Sequence, residues 1–263
     1  MKIDCHTHGK LAKKLPFSSE YTDWLFSEAK LAGLDAICLT EHFNTLGFRE
    51  IYEYISDNYI RQGDAFICKG LRIFPGMEVD IAEGGHILVI GKMEEILELN
   101  QRLEPYKEKS TFLSFVQLIE MIKEYAVIVG AGHPYREGGH IPKLEEELLR
   151  EFDFLDLNGK DMAIRAGENI KQIEGLSKAL GIPVVAGSDT HQSFQYGCIW
   201  NDFEKDCDFI EELREEIAKR HFRIEISKQI SFKVKTAGIL KRALKEIHTL
   251  EGDYVSVLLK EAK

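Results

Sequence analysis

Short apolar runs alternate along this chain with segments whose apolar residues recur every three or four positions. Residues 2–5 predict a strand leading into His6. Ser18 or Ser19 then caps a helix that runs to residue 32 and stops at Gly33. Strands follow at residues 35–39, 65–68, 71–74 and 86–90, with a helix over 48–62. The near-continuous apolar character of 86–90 predicts burial on both faces. The polar stretch 100–109 reads as a surface loop. A helix from Ser110 or Thr111 to 125, a strand at 126–130 and a helix at 143–151 continue the pattern. Strand 154–157, helix 166–180, strand 183–186, helix 209–219, strand 222–226 and helix 239–247 complete it, and residues 250–263 form a last helix or an appended strand. Repeated strand–helix units imply parallel pairing with right-handed crossovers. A closed α/β barrel accommodates them better than two small domains. No repeat, low-complexity segment or linker composition breaks the 263 residues, so 1–263 is read as one domain, with 221–263 supplying its closing elements and a basic tail.

A hydrophobic fraction of 44% excludes a disordered chain. Membrane insertion is also excluded, because the longest apolar stretch, residues 126–132, is far short of the roughly 20 residues a spanning helix needs. The N-terminus turns polar at once and lacks the apolar core of a signal peptide. Five cysteines, odd in number and without C-x-x-C spacing, argue for buried reduced thiols in a cytoplasmic protein and against a zinc ribbon. The net charge of −10 is uneven: residues 221–263 carry +4 and residues 1–220 carry −14. This balance disfavours broad nucleic-acid binding, and the basic tail reads as a solvated helical face. Oligomeric state is not readable from composition.

Candidate chemistry collects at strand ends. Asp4-Cys5-His6-Thr7-His8 ends the first strand, where a period of two points Asp4, His6 and His8 to one side and turns the Cys5 thiol away. Thr40-Glu41-His42 ends the second. Gly76-Met77-Glu78-Val79-Asp80 follows another strand, with His86 eight residues beyond Glu78. Gly132-His133-Pro134 and Gly187-Ser188-Asp189-Thr190-His191 repeat the placement, so six of nine histidines fall at or beside strand ends. Each motif alone has an ordinary explanation. His86 fits a strand histidine bonded to backbone, Glu41 an ordinary salt bridge, and His140, His221 and His248 the surface. Together they form a polynuclear metal site, since imidazole and carboxylate are the donors zinc, manganese and iron take. No P-loop, G-x-S-x-G or G-x-G-x-x-G competes.

The ordered series Asp4-x-His6-x-His8, Thr40-Glu41-His42, Gly76-Met77-Glu78, Gly85-His86, Gly132-His133-Pro134 and Gly187-Ser188-Asp189-Thr190-His191 resembles the PHP (polymerase and histidinol phosphatase) superfamily. The resemblance implies a distorted (β/α)7 TIM-like barrel with two or three divalent ions (Mn, Fe or Zn) at the C-terminal ends of the strands. It also implies hydrolysis of phosphate esters. By position, His6, His8, Glu78 and Asp189 match ligands of a first metal. Glu78 then bridges to a second metal held also by His86 and His133, and His42 and His191 match ligands of a third. Many members carry a further His or Asp shortly after the H-x-H pair. Here residues 9–17 supply none, and Lys14 lies about where it would fall. The expectation is a dinuclear site with Lys14 as a phosphate clamp, set against a solvent-facing cluster of Lys10, Lys13 and Lys14.

Arg136 and Lys160 are the other candidate substrate-binding cations, each competing with an ordinary surface charge. The expected activity is hydrolysis of a small phosphomonoester, histidinol-phosphatase-like or related, by metal-activated water. Asp189 would be essential, and His191 or His42 would protonate the leaving group if no third metal occupies them. Two alternatives stand: a nuclease or nucleotide phosphodiesterase with the same metals, and a non-catalytic metal-bound interaction module.

Overall fold

The computed structural model describes residues 1–260, and its element boundaries follow local chemistry. Ser18 accepts the Tyr21 N–H at 3.2 Å, opening the first helix as its capping residue. Ser114 forms a reciprocal capping box with Gln117, so the helix expected from 110 begins only at 115. The chain order is β1 (Lys2–Thr7), α1 (Ser19–Leu31), β2 (Ala36–His42), α2 (Phe48–Asn58), β3 (Ile60–Gln62), β4 (Ala65–Cys68) and β5 (Leu71–Asp80). It continues with β6 (His86–Ile90), α3 (Met93–Arg102), α4 (Phe115–Ile122), β7 (Ile128–Gly132), α5 (Glu146–Leu149), β8 (Phe154–Asn158) and α6 (Gly159–Leu180). Last come β9 (Val184–Gly187), β10 (Ile199–Phe203), α7 (Ile210–Lys219), β11 (Phe222–Ile226), α8 (Ile230–Thr249) and α9 (Tyr254–Leu259).

One sheet runs β11-β10-β1-β2-β5-β6-β7-β8-β9, with β3 and β4 branching from β5. Its two arms meet where Thr7 bridges Thr190 in parallel, and the Asp189 N–H donates to the His6 carbonyl at 2.7 Å. Seven strands, β1, β2 and β5 to β9, therefore make a nearly closed ring, the distorted TIM-like barrel expected. Pairing is not parallel throughout, as the alternation had predicted. β6 runs antiparallel to both β5 and β7, and β10 is antiparallel to β1 and β11. Only residues 81–85 separate β5 from β6, too few for a parallel crossover. The reversal has a useful consequence: His86, at the start of β6, lies opposite Asp80 at the end of β5 and Gly132 at the end of β7.

Other elements differ locally. The stretch read as a surface loop belongs partly to α3 and partly to a short 3-10 turn, and buried Asn100 donates to the Phe43 carbonyl at 2.7 Å. The helix expected at 143–151 splits into a 3-10 turn and α5. α6 starts at Gly159, seven residues early, and breaks at Arg165 (φ −146, ψ 53). The sequence pattern had left β10 out. α9 ends at Leu259, and residues 261–263 lie outside the described residues.

Two apolar clusters flank the sheet. The smaller fills the ring with Ile3, Cys5, Cys38, Phe74, Leu88, Ile128, Phe154 and Val185, and α7 closes its far end through Ile210, Leu213 and Ile217. On most strands a polar residue sits an even number of positions from the apolar one: Cys38 and His42, Phe74 and Glu78, Leu88 and His86, Phe154 and Asp156, Val185 and Asp189. The strand period thus floors the ring with hydrocarbon and lines one mouth with ligands. β1 breaks parity, since Cys5 packs in the ring while His6 and His8 join the ligands. The β1–β2 register shifts between Asp4 and Thr7, as a bulge would require. No described helix is long and apolar enough to cross a membrane.

Candidate metal centre

Glu78 is the hub of the mouth. Its Oε1 lies 3.1 Å from His133 Nε2, 3.3 Å from His86 Nδ1 and 3.6 Å from His6 Nε2. Its Oε2 lies 2.7 Å from His42 Nδ1 and 3.5 Å from His8 Nε2. Asp189 Oδ1 approaches His8 Nε2 at 3.3 Å and His191 Nδ1 at 3.5 Å. Three groups are close enough to share a cation: His6, His8 and Asp189; Glu78, His86 and His133; and His8, His42 and His191. All eight residues singled out as metal ligands by sequence are brought together here.

The donor atoms fit cations. His6 Nε2, both ring nitrogens of His8, His42 Nδ1 and Glu78 Oε2 are buried without a well-aligned hydrogen bond, the 2.7 Å approach of His42 Nδ1 to Glu78 Oε2 included. So many orphaned donors at one point would be costly in a purely structural cluster. Burial raises the Glu78 carboxyl, but the imidazoles of His86, His42 and His6 outweigh it and hold the group well below the usual carboxylate range. Asp189 is held well below its usual range too, burial again being outweighed, here by Lys160 and Arg136. Burial pushes the imidazoles of His42 and His133 down to about 4, and that of His191 well below its ordinary value. These three rings are neutral lone-pair donors at neutral pH. For His42 and His191 this favours ligation over delivering a proton to a leaving group.

Behind the donors stands a second set of carboxylates that sequence reading had not assigned. Asp156 accepts from His6 Nδ1 at 2.9 Å, leaving Nε2 toward Glu78. Asp80 holds His86 Nε2 at 2.7 Å, leaving Nδ1 toward Glu78 and His133, while Lys13 anchors Asp80 at 2.9 Å. Glu41, expected in an ordinary salt bridge, is a buried carboxylate 3.5 Å from His8 Nδ1. It accepts the Gly9 and His42 N–H groups at 3.1 and 3.0 Å. Asp4 is buried outside the three groups and accepts the Ser188 N–H at 2.9 Å. The usable signals were the period-two pairs Glu78-x-Asp80 and Asp156-x-Asn158 at strand ends. His133 and Asp189 have positive φ, 30° and 58°, an uncommon conformation that the surrounding contacts hold at two candidate ligands.

The candidate cations divide. Lys160, in the first turn of α6, reaches Asp189 Oδ1 at 2.8 Å. Arg136 forks to Asp189 Oδ2 at 2.8 Å and Asn158 Oδ1 at 2.7 Å, and contacts Asp161. Lys14 is exposed and is not brought to the ligands. Burial of Leu11 and Leu15 turns it outward, and its neighbours Lys10 and Lys13 point inward instead. Lys10 donates to Thr45 Oγ1 at 3.1 Å, tying the loop after β1 to the loop after β2. Residues 9–17 add no donor to the trio of His8, His42 and His191. Cys5 is buried, and burial with Cys38 beside it pushes its thiol up, in keeping with a structural role. His140 Nδ1 donates to the Glu83 carbonyl from the surface.

Among solved structures, the fold is similar to PsfC from Pseudomonas syringae PB-5123, with TM-score 0.76 and 21% identity over 92% of this chain and 98% of that one. It is also similar to the lesion-specific endonuclease Q from Pyrococcus furiosus, with TM-score 0.62 and 19% identity over 85% of this chain and 57% of that one. An endonuclease Q complex with a 27-mer duplex carrying an abasic lesion gives TM-score 0.61 and 20% identity, covering 86% and 58%. The chain thus spans a little over half the length of those endonucleases. At these identities the likeness is one of fold. None of the curated proteins compared matches the sequence. The family model of the PHP domain matches residues 4–229, from the H-x-H strand to beyond β11. With its ligand motifs in order along that span, the chain belongs to the PHP domain family, a family of metal-dependent phosphoesterases.

Proposed function

We propose that this protein hydrolyses a small phosphomonoester, with water as nucleophile and two divalent ions as cofactors. One observation carries the proposal: orphaned donors of the ring mouth converge on Glu78 while two basic side chains, Arg136 and Lys160, converge on Asp189. His6, His8 and Asp189 would hold one ion, and Glu78, His86 and His133 the other. When bound, such ions supply Lewis-acid polarisation of the phosphate and lower the pKa of a bound water. Mixed imidazole and carboxylate donors suit manganese, iron or zinc. Two ions rather than three follows from His8. The first and third groups both draw on it, and its Nδ1 is turned to Glu41.

The chain's own residues do the rest. Arg136 and Lys160 neutralise phosphate charge and orient the ester, Asp156 and Asp80 fix the imidazoles, and the ring wall excludes water. The water oxygen bonds to phosphorus as the ester P–O bond breaks, and the alcohol leaves with a proton. Small size is supported by burial of the donors. The −10 charge argues against a polynucleotide. Five free, buried cysteines suit a reducing cytoplasm, and residues 1–263 are taken as one barrel unit. The test is phosphate release from a panel of sugar phosphates, histidinol phosphate, nucleotides and a short oligonucleotide, using metal-free protein reloaded with manganese, iron(II) or zinc. Metal-dependent release from a small monoester is expected. Cleavage of the oligonucleotide alone would replace this proposal with the nuclease alternative, and silence with every metal would point to the interaction module.

A further inference from the structure

α8 begins at Ile230, one residue past the span matched by the family model, yet it forms a wall of the metal centre's surroundings. Between α6 and α8 lies a cavity of 190 Å³ bordered by Lys160, Ile164, His191, Val234, Ala237 and Lys241. Its walls are largely hydrocarbon, and two lysines, Lys160 and Lys241, are among the residues that line it. Lys160 is paired with Asp189 at 2.8 Å, whereas Lys241, only partly exposed, forms no ion pair among the described residues. Burial, with Lys160 next, pushes the Lys241 ammonium down to about 8. It therefore stays protonated at neutral pH, a poorly solvated charge with no fixed counterion. The carboxylates of Asp189 and Glu41 act on it from beyond ion-pair distance, so its charge is available to an anion that enters the cavity.

We propose that this cavity is a subsite for a second small oxyanion on the substrate, a carboxylate or a phosphate, recognised by Lys241; the inference rests on the phosphomonoester assignment. The volume is about six waters at roughly 30 Å³ each, enough for such a group on a short hydrocarbon and too little for a nucleoside. The substrate class is then the phosphate ester of a short alcohol that carries a further anionic group.

The test compares metal-loaded wild type, Lys241→Met and Lys241→Arg on propyl phosphate, the phosphate ester of hydroxypropionate, and propanediol bisphosphate. Wild type should prefer one or both doubly anionic esters by about tenfold in kcat/KM, the scale of one charge-assisted hydrogen bond. That ratio should collapse toward parity in Lys241→Met and return in Lys241→Arg. Which ester gains more identifies carboxylate or phosphate. Calorimetric binding of phosphonopropionate against propylphosphonate gives a readout independent of turnover. If no ester is hydrolysed but the binding preference is present and lost in Lys241→Met, the subsite stands and the phosphomonoester assignment falls. Absence of any preference in wild type, or its persistence in Lys241→Met, overturns the subsite.

Discussion

Asp156 Oδ2 stands 2.9 Å from His6 Nδ1 and also accepts the His133 N–H at 3.1 Å, so one outer carboxylate orients two candidate ligands from different strands. A carboxylate only accepts, so in the neutral ring that binds a metal the His6 proton sits on Nδ1 and the lone pair on Nε2. Asp156→Asn keeps the volume but removes this preference. The predicted result is a fall of about 10- to 100-fold in metal affinity, the usual loss when such a partner is changed. Calorimetric titration of manganese or zinc into the metal-free variant measures it, and wild-type affinity would show that Asp156 does not set the ring.

The orphaned nitrogens and oxygens of the mouth predict that metal and stability are linked. Ligand at about 100 times its Kd adds roughly 2.7 kcal/mol, and for a chain of this size each kcal/mol moves Tm by about 2–4 °C. Chelation should therefore lower Tm by about 5–10 °C, with recovery on adding metal back. Elemental analysis of the reloaded protein should find two ions per chain. Three would mean that His8, His42 and His191 hold an ion of their own.

Gly187 gives a steric test of the same geometry. A Cβ there would lie 2.3 Å from His6 Cβ and 2.7 Å from Asp156 Oδ1, closer than side chains tolerate. Gly187→Ala should cost about 1–3 kcal/mol, the usual price of overpacking. It should also weaken metal binding, because the atoms that must move belong to a ligand and its orienting partner. Urea denaturation together with metal titration separates the two effects. Lost stability with intact metal affinity would mean that the backbone yields and His6 does not.

Much of this site was legible because strand period and strand end together fix where a side chain lands. His42, Glu78, Asp189 and their counterparts are separated in sequence but share a face and a mouth. Among the features that escaped, three have separate physical reasons. The reversal of β6 was encoded in the five-residue connection 81–85, a length signal that the apolar pattern of 86–90 does not carry. α3 has buried Met93, Ile96 and Leu99 at helical spacing, but Lys92 gives it no side-chain cap, so its start had no marker. Lys14 was counted into place by position alone. Where Leu11 and Leu15 sit in the core decides which of the neighbouring lysines faces inward, and that is a packing outcome.

Glu41 predicts a specific acid sensitivity of the metal-free protein. Burial tends to raise its carboxyl, but the close approach and charge of His8, 3.5 Å away, with His42 and Lys10 beside it, hold the group at about 2 instead of 4.5. A carboxyl depressed in the folded state contributes stability that is fully present above its ordinary value and is lost as pH falls through the folded one. The contribution is on the order of 3 kcal/mol, from about 1.4 kcal/mol per pKa unit. Glu41→Gln should thus be less stable than wild type at neutral pH, and the gap should hold down to about pH 5. It should then narrow steadily as pH falls from 4.5 toward 2, because wild type is losing what the variant never had. Urea denaturation of both metal-free proteins across that range checks the sign. A gap that stays constant to about pH 3 would show that Glu41 gains nothing from its imidazole and ammonium neighbours.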